Sequence, residues 1–403
     1  MTDPEALAAR VADGELRLHE LEEHADAATA AAARRAFVAE ETGVELGAVG
    51  DHAFAAESAT ANIENLVGAA QVPMGIAGPV TVRGGAADGE HYLPLATTEG
   101  ALVASVNRGL GTIERSGGAA ARVVESKMTR APVFRTDGVE ASVAVADWAR
   151  EHVGALAEAA EATTSHGELL DVEPHVVGDN VFLRFAYDTK DAMGMNMATI
   201  ATEAACEVVE AETAAELVAL SGNLCTDKKP AAINAVSGRG RTVAADVTIP
   251  REVVEERLHT TPEAIAEVNT RKNHVGSAKA GSLGFNAQAA NVVAAVFLAT
   301  GQDAAQVVEG ANAITTAEAR EDGLYLSVTL ASLEVGTVGG GTTLATQAEA
   351  LDLLGVRGGG DPPGANADAL AELIAVGALA GECSLLAAMA SRHLASAHAQ
   401  LGR

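Results

Sequence analysis

The chain is 403 residues long and 48% hydrophobic, which is enough for a sizeable core and excludes a disordered acidic tail. Lys and Arg total 27 against 55 Asp and Glu, a formal net charge of −28, so the chain repels bare polyphosphate and a general nucleic-acid binder is excluded. Only six of the cations are lysine, and the acid is spread along the whole chain. That composition points to adaptation to very high salt, where screening removes the self-repulsion, with an ordinary acidic cytosolic protein as the alternative.

Residues 1–48 are Ala- and Glu-rich with Leu at helical spacing and predict outer helices; their start has no apolar run of the signal-peptide kind. In 64–83 Gly and Pro punctuate apolar residues, which predicts a loop and a strand. Thr97, Thr98 and Glu99 ahead of an apolar run predict a capped helix start in 97–108. Between 119 and 187 the runs ASVAVA and VFLRFAY read as strands around a helical acidic stretch near 147–162. Residues 197–220 read as one long helix, 221–230 as a polar turn, 242–249 as a strand and 251–268 as a helix.

The small residues of 276–284 lead into an apolar helix at 286–299, a strand at 324–335 ends in VGTVGGGT, 357–365 is a surface loop, and 366–400 is an Ala-rich helix. The apolar run 289–300 is too short to cross a bilayer, so the chain is expected to be soluble and cytoplasmic, with no membrane partner. Cys206, Cys225 and Cys383 form no CxxC pair, so neither a disulfide framework nor a structural zinc site is expected. The mixture predicts an α+β fold in which a smaller strand-containing module near 120–220 interrupts a larger one.

Five places could carry chemistry. In Cys225-Thr226-Asp227-Lys228-Lys229-Pro230, two of the six lysines are adjacent in a chain that otherwise avoids them. One ammonium can hold an oxyanion, its neighbour can bind a carboxylate, and Asp227 can fix both. Glu99 taken alone reads as a capping partner or a charge at a helix start. Asp303 reads as an N-cap unless it meets Glu99 or Lys228 in space, in which case the groups are suited to proton transfer near neutral pH. His393 and His398, five apart, are a poor metal pair, though one of them could donate a proton. In DAMGMNM (191–197) Gly194 stands between strand and helix, where it permits close approach of a pyrophosphate or simply makes a turn. No GxGxxG occurs, so any nicotinamide site is not of the Rossmann type, and no metal is indicated.

The combination resembles 3-hydroxy-3-methylglutaryl-coenzyme A reductase, of the class found in eukaryotes and archaea. Eight blocks run in family order from about residue 64 to 398: ENLVGAAQVPMGIAGP, LATTEGALVASVNRG, MTRAPV, DAMGMNM, SGNLCTDKKPAAINAVSGRGRTV, VGSAKAGSLGFNAQAANVVAAVFLATGQDAAQ, SLEVGTVGGGT and GECSLLAAMASRHLASAH. The resemblance implies a four-electron reduction of the thioester to mevalonate with NADPH as cofactor and coenzyme A released. It assigns Glu99, Lys228, Asp303 and His398 to catalysis: Lys228 on the oxyanion, Glu99 as proton donor to the aldehyde, Asp303 between them, and His398 as proton donor to the thiolate.

Glu64, Asn65, Arg130, Ser221, Asp227, Lys229, Lys272 and Asn291 match substrate-binding positions. Asp191, Met193, Gly194, Met195, Asn196, Gly339, Gly340, Gly341 and Thr342 match the cofactor segments, and Ser165 and His166 stand where animal members carry Ser-Arg near the 2′-phosphate. The implied architecture is an N-terminal helical domain (1–63) and a large substrate-binding domain around the central apolar helix (64–131 and 220–403, with a connecting loop at 220–231). A small ferredoxin-like NADP(H)-binding domain is inserted at 132–219. The implied assembly is a homodimer or homotetramer with active sites between subunits. The same resemblance leaves two rivals, oxidation of mevalonate with NAD and a coenzyme A-binding protein without catalysis.

Overall fold

Strands with one buried face organise the chain into a mixed α+β fold in the computed structural model, which describes residues 3–391. β1 (Met74–Arg83) and β2 (Asp88–Ala96) form an antiparallel hairpin. β3 (Ala119–Arg130) is the seam of the sheet. β3 pairs with β8 (Gly240–Pro250) over Ala120–Lys127 and with β6 (Asn180–Asp188) over Met128–Arg130. Beyond β8 lie β10 (Gly323–Leu333) and β9 (Ala313–Arg320), both antiparallel. Beyond β6 lie β5 (Glu168–Val177) on one side and β4 (Val133–Arg135) then β7 (Glu216–Ala219) on the other.

On β8, Val243, Ala245, Val247 and Ile249 are buried, and on β10 Leu324, Leu326, Val328 and Leu330 are, the period of two expected of a sheet face. The main core packs this face against the apolar helix Ala289–Thr300 and the long helix Ala365–Ala390. The long helix is apolar enough to cross a membrane by length and composition, and its apolar window is 83% buried within the fold. Helix Leu102–Arg115 crosses it at Gly109, where a Cβ would fall on the backbone of Ala380. A second core gathers Phe134, Leu183, Phe185 and Tyr187 of the sheet with helices Val139–Glu151, Val153–Glu161 and Met195–Glu212. A small third core holds the N-terminal helices together through Leu7, Leu16 and Leu21.

Four sequence expectations are corrected. ASVAVA lies inside helix Val139–Glu151, burying Ser142, Val145, Ala146 and Ala149; a uniformly small apolar run carries no period that separates strand from helix. The helix expected over 197–220 ends at Glu212, and the chain then pairs with β4 as β7, so sheet pairing overrides local helix propensity. The helix expected over 251–268 breaks at His259, in the left-handed region, and restarts at Pro262 with Thr261 accepting from the Ala264 amide at 3.2 Å. The helix expected to start at Thr97 starts at Leu102, because Thr97 Oγ1 accepts the Glu99 amide at 3.0 Å in a turn and Ala101 takes φ 70°.

Candidate active site

Residues 221–231 form no helix or strand, and three non-glycine residues there, Asn223, Thr226 and Lys228, have φ of 63°, 50° and 58°. Positive φ at a β-branched threonine is strained, on the order of 1–2 kcal/mol, so the surroundings must over-determine the loop. Asn234 Nδ2 donates to Thr226 O at 3.1 Å, and Gln306 Nε2 to Asp227 Oδ1 at 3.3 Å. The Lys228 ammonium lies 2.7 Å from Asp303 Oδ2, at side-chain exposures of 43% and 31%. Asp303 also accepts the Ala305 amide at 3.0 Å, so the N-cap and the lysine partner are one residue. Its hydrogen bond, followed by the Asp303, Asp227 and Glu309 charges, holds the ammonium above the usual lysine value, and the group stays charged through neutral pH. Lys229 is exposed, with Nζ 2.9 Å from Asp227 O, and Ser221 Oγ lies 3.6 Å from the buried Cys225 Sγ.

Beneath the loop is a charge cluster that sequence reasoning missed. Arg239, fully buried, is paired with Glu334, lies 3.0 Å from Asp227 Oδ1 and 3.9 Å from Glu309 Oε1. Asp227, Glu309 and Glu334 bring carboxylate oxygens within 4.8 Å of one another, the spacing of a metal site, but the guanidinium already stands among them. One cation against three carboxylates leaves negative charge in excess, and burial pushes Glu309 up and Glu334 to about 8. Burial therefore favours the protonated form of Glu334 in the native state, whereas in the unfolded chain it ionises near 4.5. The native state binds the extra proton, so this group makes stability fall as pH rises from about 4.5 to about 8. Thermal melts at fixed high salt are expected to show that decline, and Glu334→Gln is expected to shallow it; an unchanged slope would count against the assignment.

Glu99 is exposed, and its Oε1 accepts from Asn291 Nδ2 at 3.2 Å. Asn291 is in the first turn of helix Ala289–Thr300, whereas Asp303 follows its end. Glu382 anchors the chain just before that helix, accepting the amides of Ala287 at 2.8 Å and Gln288 at 2.7 Å and the Thr315 hydroxyl at 2.7 Å. Lys272 stands near Glu382 on a π-helical turn, Asn269–Gly276, a rare element that occurs often at functional sites. At about 1.5 Å per residue, Asn291 and Asp303 are roughly 15 Å apart along the axis, so one chain gathers Lys228 with Asp303 and, separately, Glu99 with Asn291. Arg130 ends β3 with its Nε buried and unpartnered among the described residues. Glu64 and Asn65 are exposed, Asn65 with φ 51°. His393 and His398 lie outside the described residues.

The two glycine segments meet. Ala192 and Val338 form an isolated parallel bridge, and Thr337 N donates to Asp191 O at 2.8 Å. Gly194, at φ 86°, opens helix Met195–Glu212 without any side-chain cap on the first-turn amides, beside the exposed Asn196. Gly339 and Gly340 take φ of 75° and 52°, Gly341 follows, and Thr342 Oγ1 donates to Gly339 O at 2.6 Å. Ser165 and His166 are exposed in a loop whose Gly167 packs on Met197 of the same helix start. Met193 Sδ lies 3.7 Å from Gln306 Nε2, and Met195 Sδ 2.9 Å from Arg239 Nη2, which ties this segment to the buried cluster.

Residues 30–403 match the family described as hydroxymethylglutaryl-coenzyme A reductase. The chain is 72% identical over 403 residues to the 3-hydroxy-3-methylglutaryl-coenzyme A reductase of Haloferax volcanii, covering 100% of both chains. The chain belongs to the hydroxymethylglutaryl-coenzyme A reductase family. It is 73% identical over 402 residues to the reductase of Halobacterium salinarum, covering 100% of this chain and 99% of that one. These Haloferax and Halobacterium matches are in keeping with the salt-adapted composition. A solved reductase from Streptococcus pneumoniae superposes with a TM-score of 0.68 at 20% identity, over 96% of this chain and 97% of that one, and shares the fold. Family membership makes the chain an oxidoreductase.

Within this reductase-family chain Asp191 has a structural task. Only 5% exposed, it accepts the amides of Gly360 at 2.9 Å, Gly364 at 2.7 Å and Ala367 at 3.1 Å, binding the glycine segment to the start of the long helix. Asp191→Ala leaves three donors without an acceptor and is expected to cost on the order of 3 kcal/mol in denaturant titrations. Unchanged stability would overturn this anchoring role. Arg239, Glu309 and Glu334 had no sequence signal beyond being charged residues beside apolar runs; their burial is a tertiary fact.

Proposed function

We propose that the chain reduces the thioester of 3-hydroxy-3-methylglutaryl-coenzyme A to the primary alcohol of mevalonate, in the cytoplasm, with two NADPH consumed in sequence and coenzyme A released. The observation that carries the reading is the charged Lys228 ammonium, held 2.7 Å from Asp303 on a strained loop. Lys228 Nζ donates to the substrate carbonyl oxygen as negative charge develops there, and Asp303 keeps the amine protonated. Glu99 gives a proton to the aldehyde-level oxygen, and His398 gives one to the departing thiolate. Asn196, the uncapped amides after Gly194 and the Gly339–Gly341 turn suit a dinucleotide pyrophosphate, with Ser165 and His166 toward its 2′-phosphate. NADPH, when bound there, supplies hydride.

Arg130, Ser221, Asp227, Lys229, Lys272, Asn291, Glu64 and Asn65 hold the hydroxymethylglutaryl and coenzyme A parts. In support, Arg130 Nε is a buried donor that a ligand anion would satisfy. The second core, around β6, belongs to an inserted ferredoxin-like cofactor domain at 132–219, between the large-domain segments 64–131 and 220–403. Residues 1–63 make the helical domain. One chain holds Glu99 with Asn291 and Lys228 with Asp303 toward opposite ends of one helix, and a second copy supplies the half that each lacks. Active sites then lie between subunits of a homodimer or homotetramer.

The test is NADPH oxidation with the thioester in multimolar KCl, with free thiol counted alongside. Two NADPH consumed per thiol is the expected result. No turnover in protein shown by circular dichroism to be folded in that salt would sink the reading and leave a coenzyme A-binding protein. Reduction of NAD by mevalonate with no reductive turnover would favour the oxidative direction.

A further inference from the structure

The loop that carries Lys228 has no regular backbone hydrogen bonding, and Lys228 itself is in the left-handed region, so its ammonium is aimed only if its main chain is held. We propose that Glu309 is a positioning residue for Lys228: its buried carboxylate clamps the consecutive amides of Lys228 and Lys229, with the Arg239 guanidinium beside it as counter-charge. The inference rests on the role proposed above for Lys228 and adds a residue to it.

The geometry is a two-point grip from one short segment. Asp303 takes the lysine's ammonium at 2.7 Å. Six residues later, on the turn Val307–Gly310, Glu309 Oε1 accepts the Lys228 amide, and the Lys229 amide at 3.3 Å. Both ends of Lys228 are thus referred to the segment that follows the central helix. A single oxygen accepts both amides, and Glu309 Oε2 has no partner among the described residues. Glu309 is fully buried, and a carboxylate in that position is retained only against compensating groups. Arg239, just before β8, and the Lys228 ammonium set positive charge against it, while Glu334 after β10 and Asp227 of the loop are further acids of the same cluster. Arg239 is shared among the three acids, so the clamp and the side chain of Asp227 are set by one cation.

The clamp is read in two ways in the full-length protein at high KCl. Hydrogen exchange of peptides spanning 221–231 reports the amides directly and does not depend on the reaction. Glu309→Ala is expected to speed exchange at Lys228 and Lys229 by about ten-fold or more, while Glu309→Gln, which keeps an acceptor oxygen in place, stays near wild type. In the reductase assay Glu309→Ala is expected to lower kcat about ten- to a hundred-fold with KM for the thioester and Kd for NADPH within about three-fold, and Glu309→Gln to restore most of kcat. Unchanged exchange in Glu309→Ala would overturn the proposal. So would Glu309→Gln matching Glu309→Ala in both readouts while melting like wild type. An inactive wild-type protein with Glu309-dependent exchange would instead refute the reductase reading and leave the clamp standing.

Discussion

Lys228→Ala is expected to lower kcat by about 10³-fold or more while leaving thermal stability close to wild type. Removing one preorganised donor from an oxyanion costs about 10²–10³-fold, and a full positive charge is worth more than a neutral donor. The stability side follows from exposure: the side chain is 43% accessible, and its ion pair with Asp303 is open to solvent and to salt. Exposed substitutions of this kind usually change stability by about 0.5 kcal/mol or less. The two readouts therefore separate a chemical role from a structural one. Because Asp303 holds the ammonium above its usual value, no fall in rate attributable to Lys228 is expected on the alkaline side of neutrality. Initial rates of NADPH oxidation with melts in the same buffer check both parts. A variant with near wild-type rate would remove Lys228 from the reaction.

Two inactive variants mixed together are expected to recover activity. Glu99→Gln and Lys228→Ala each disable one of the two groupings that a single chain keeps apart, Glu99 with Asn291 and Lys228 with Asp303. If each site takes one grouping from each subunit, a mixed dimer has one doubly damaged site and one intact site. Random reassociation makes about half the dimers mixed, so about a quarter of wild-type activity returns. Mixing after dissociation and refolding in high salt, with each variant alone as control, is the measurement. No recovery, with mixed dimers demonstrated by mass tagging, would show that both groupings serve one site within a chain.

Legibility from sequence followed the range of the interaction concerned. Lysine scarcity singles out Lys228 and Lys229, because two of only six lysines standing side by side carry information in a chain that uses so few. The turn at 221–230, β8, the strand VFLRFAY and the central apolar helix are readable from composition and period, which are properties of a few adjacent residues. Where a distant partner decides the outcome, local reading fails. β7 exists because β4 lies beside it, and ASVAVA is helical because its small residues pack beneath β5 and β6. Asp303 is readable both as a cap and as a lysine partner, and only the fold makes it both.

By itself the sequence determined the family and the salt-adapted charge, and it singled out the Lys228-Lys229 pair as a candidate site. Those follow from residue identity and local order along the chain. The tertiary structure decided which charges meet. Lys228 and Glu309 are 81 residues apart and Arg239 and Glu334 are 95, yet they share one buried cluster, while Glu99 is held at the far end of a helix from Lys228. The physical reason is that desolvation and Coulomb energies depend on distances in space and on burial. Neither exists until the sheet and its two apolar helices have packed.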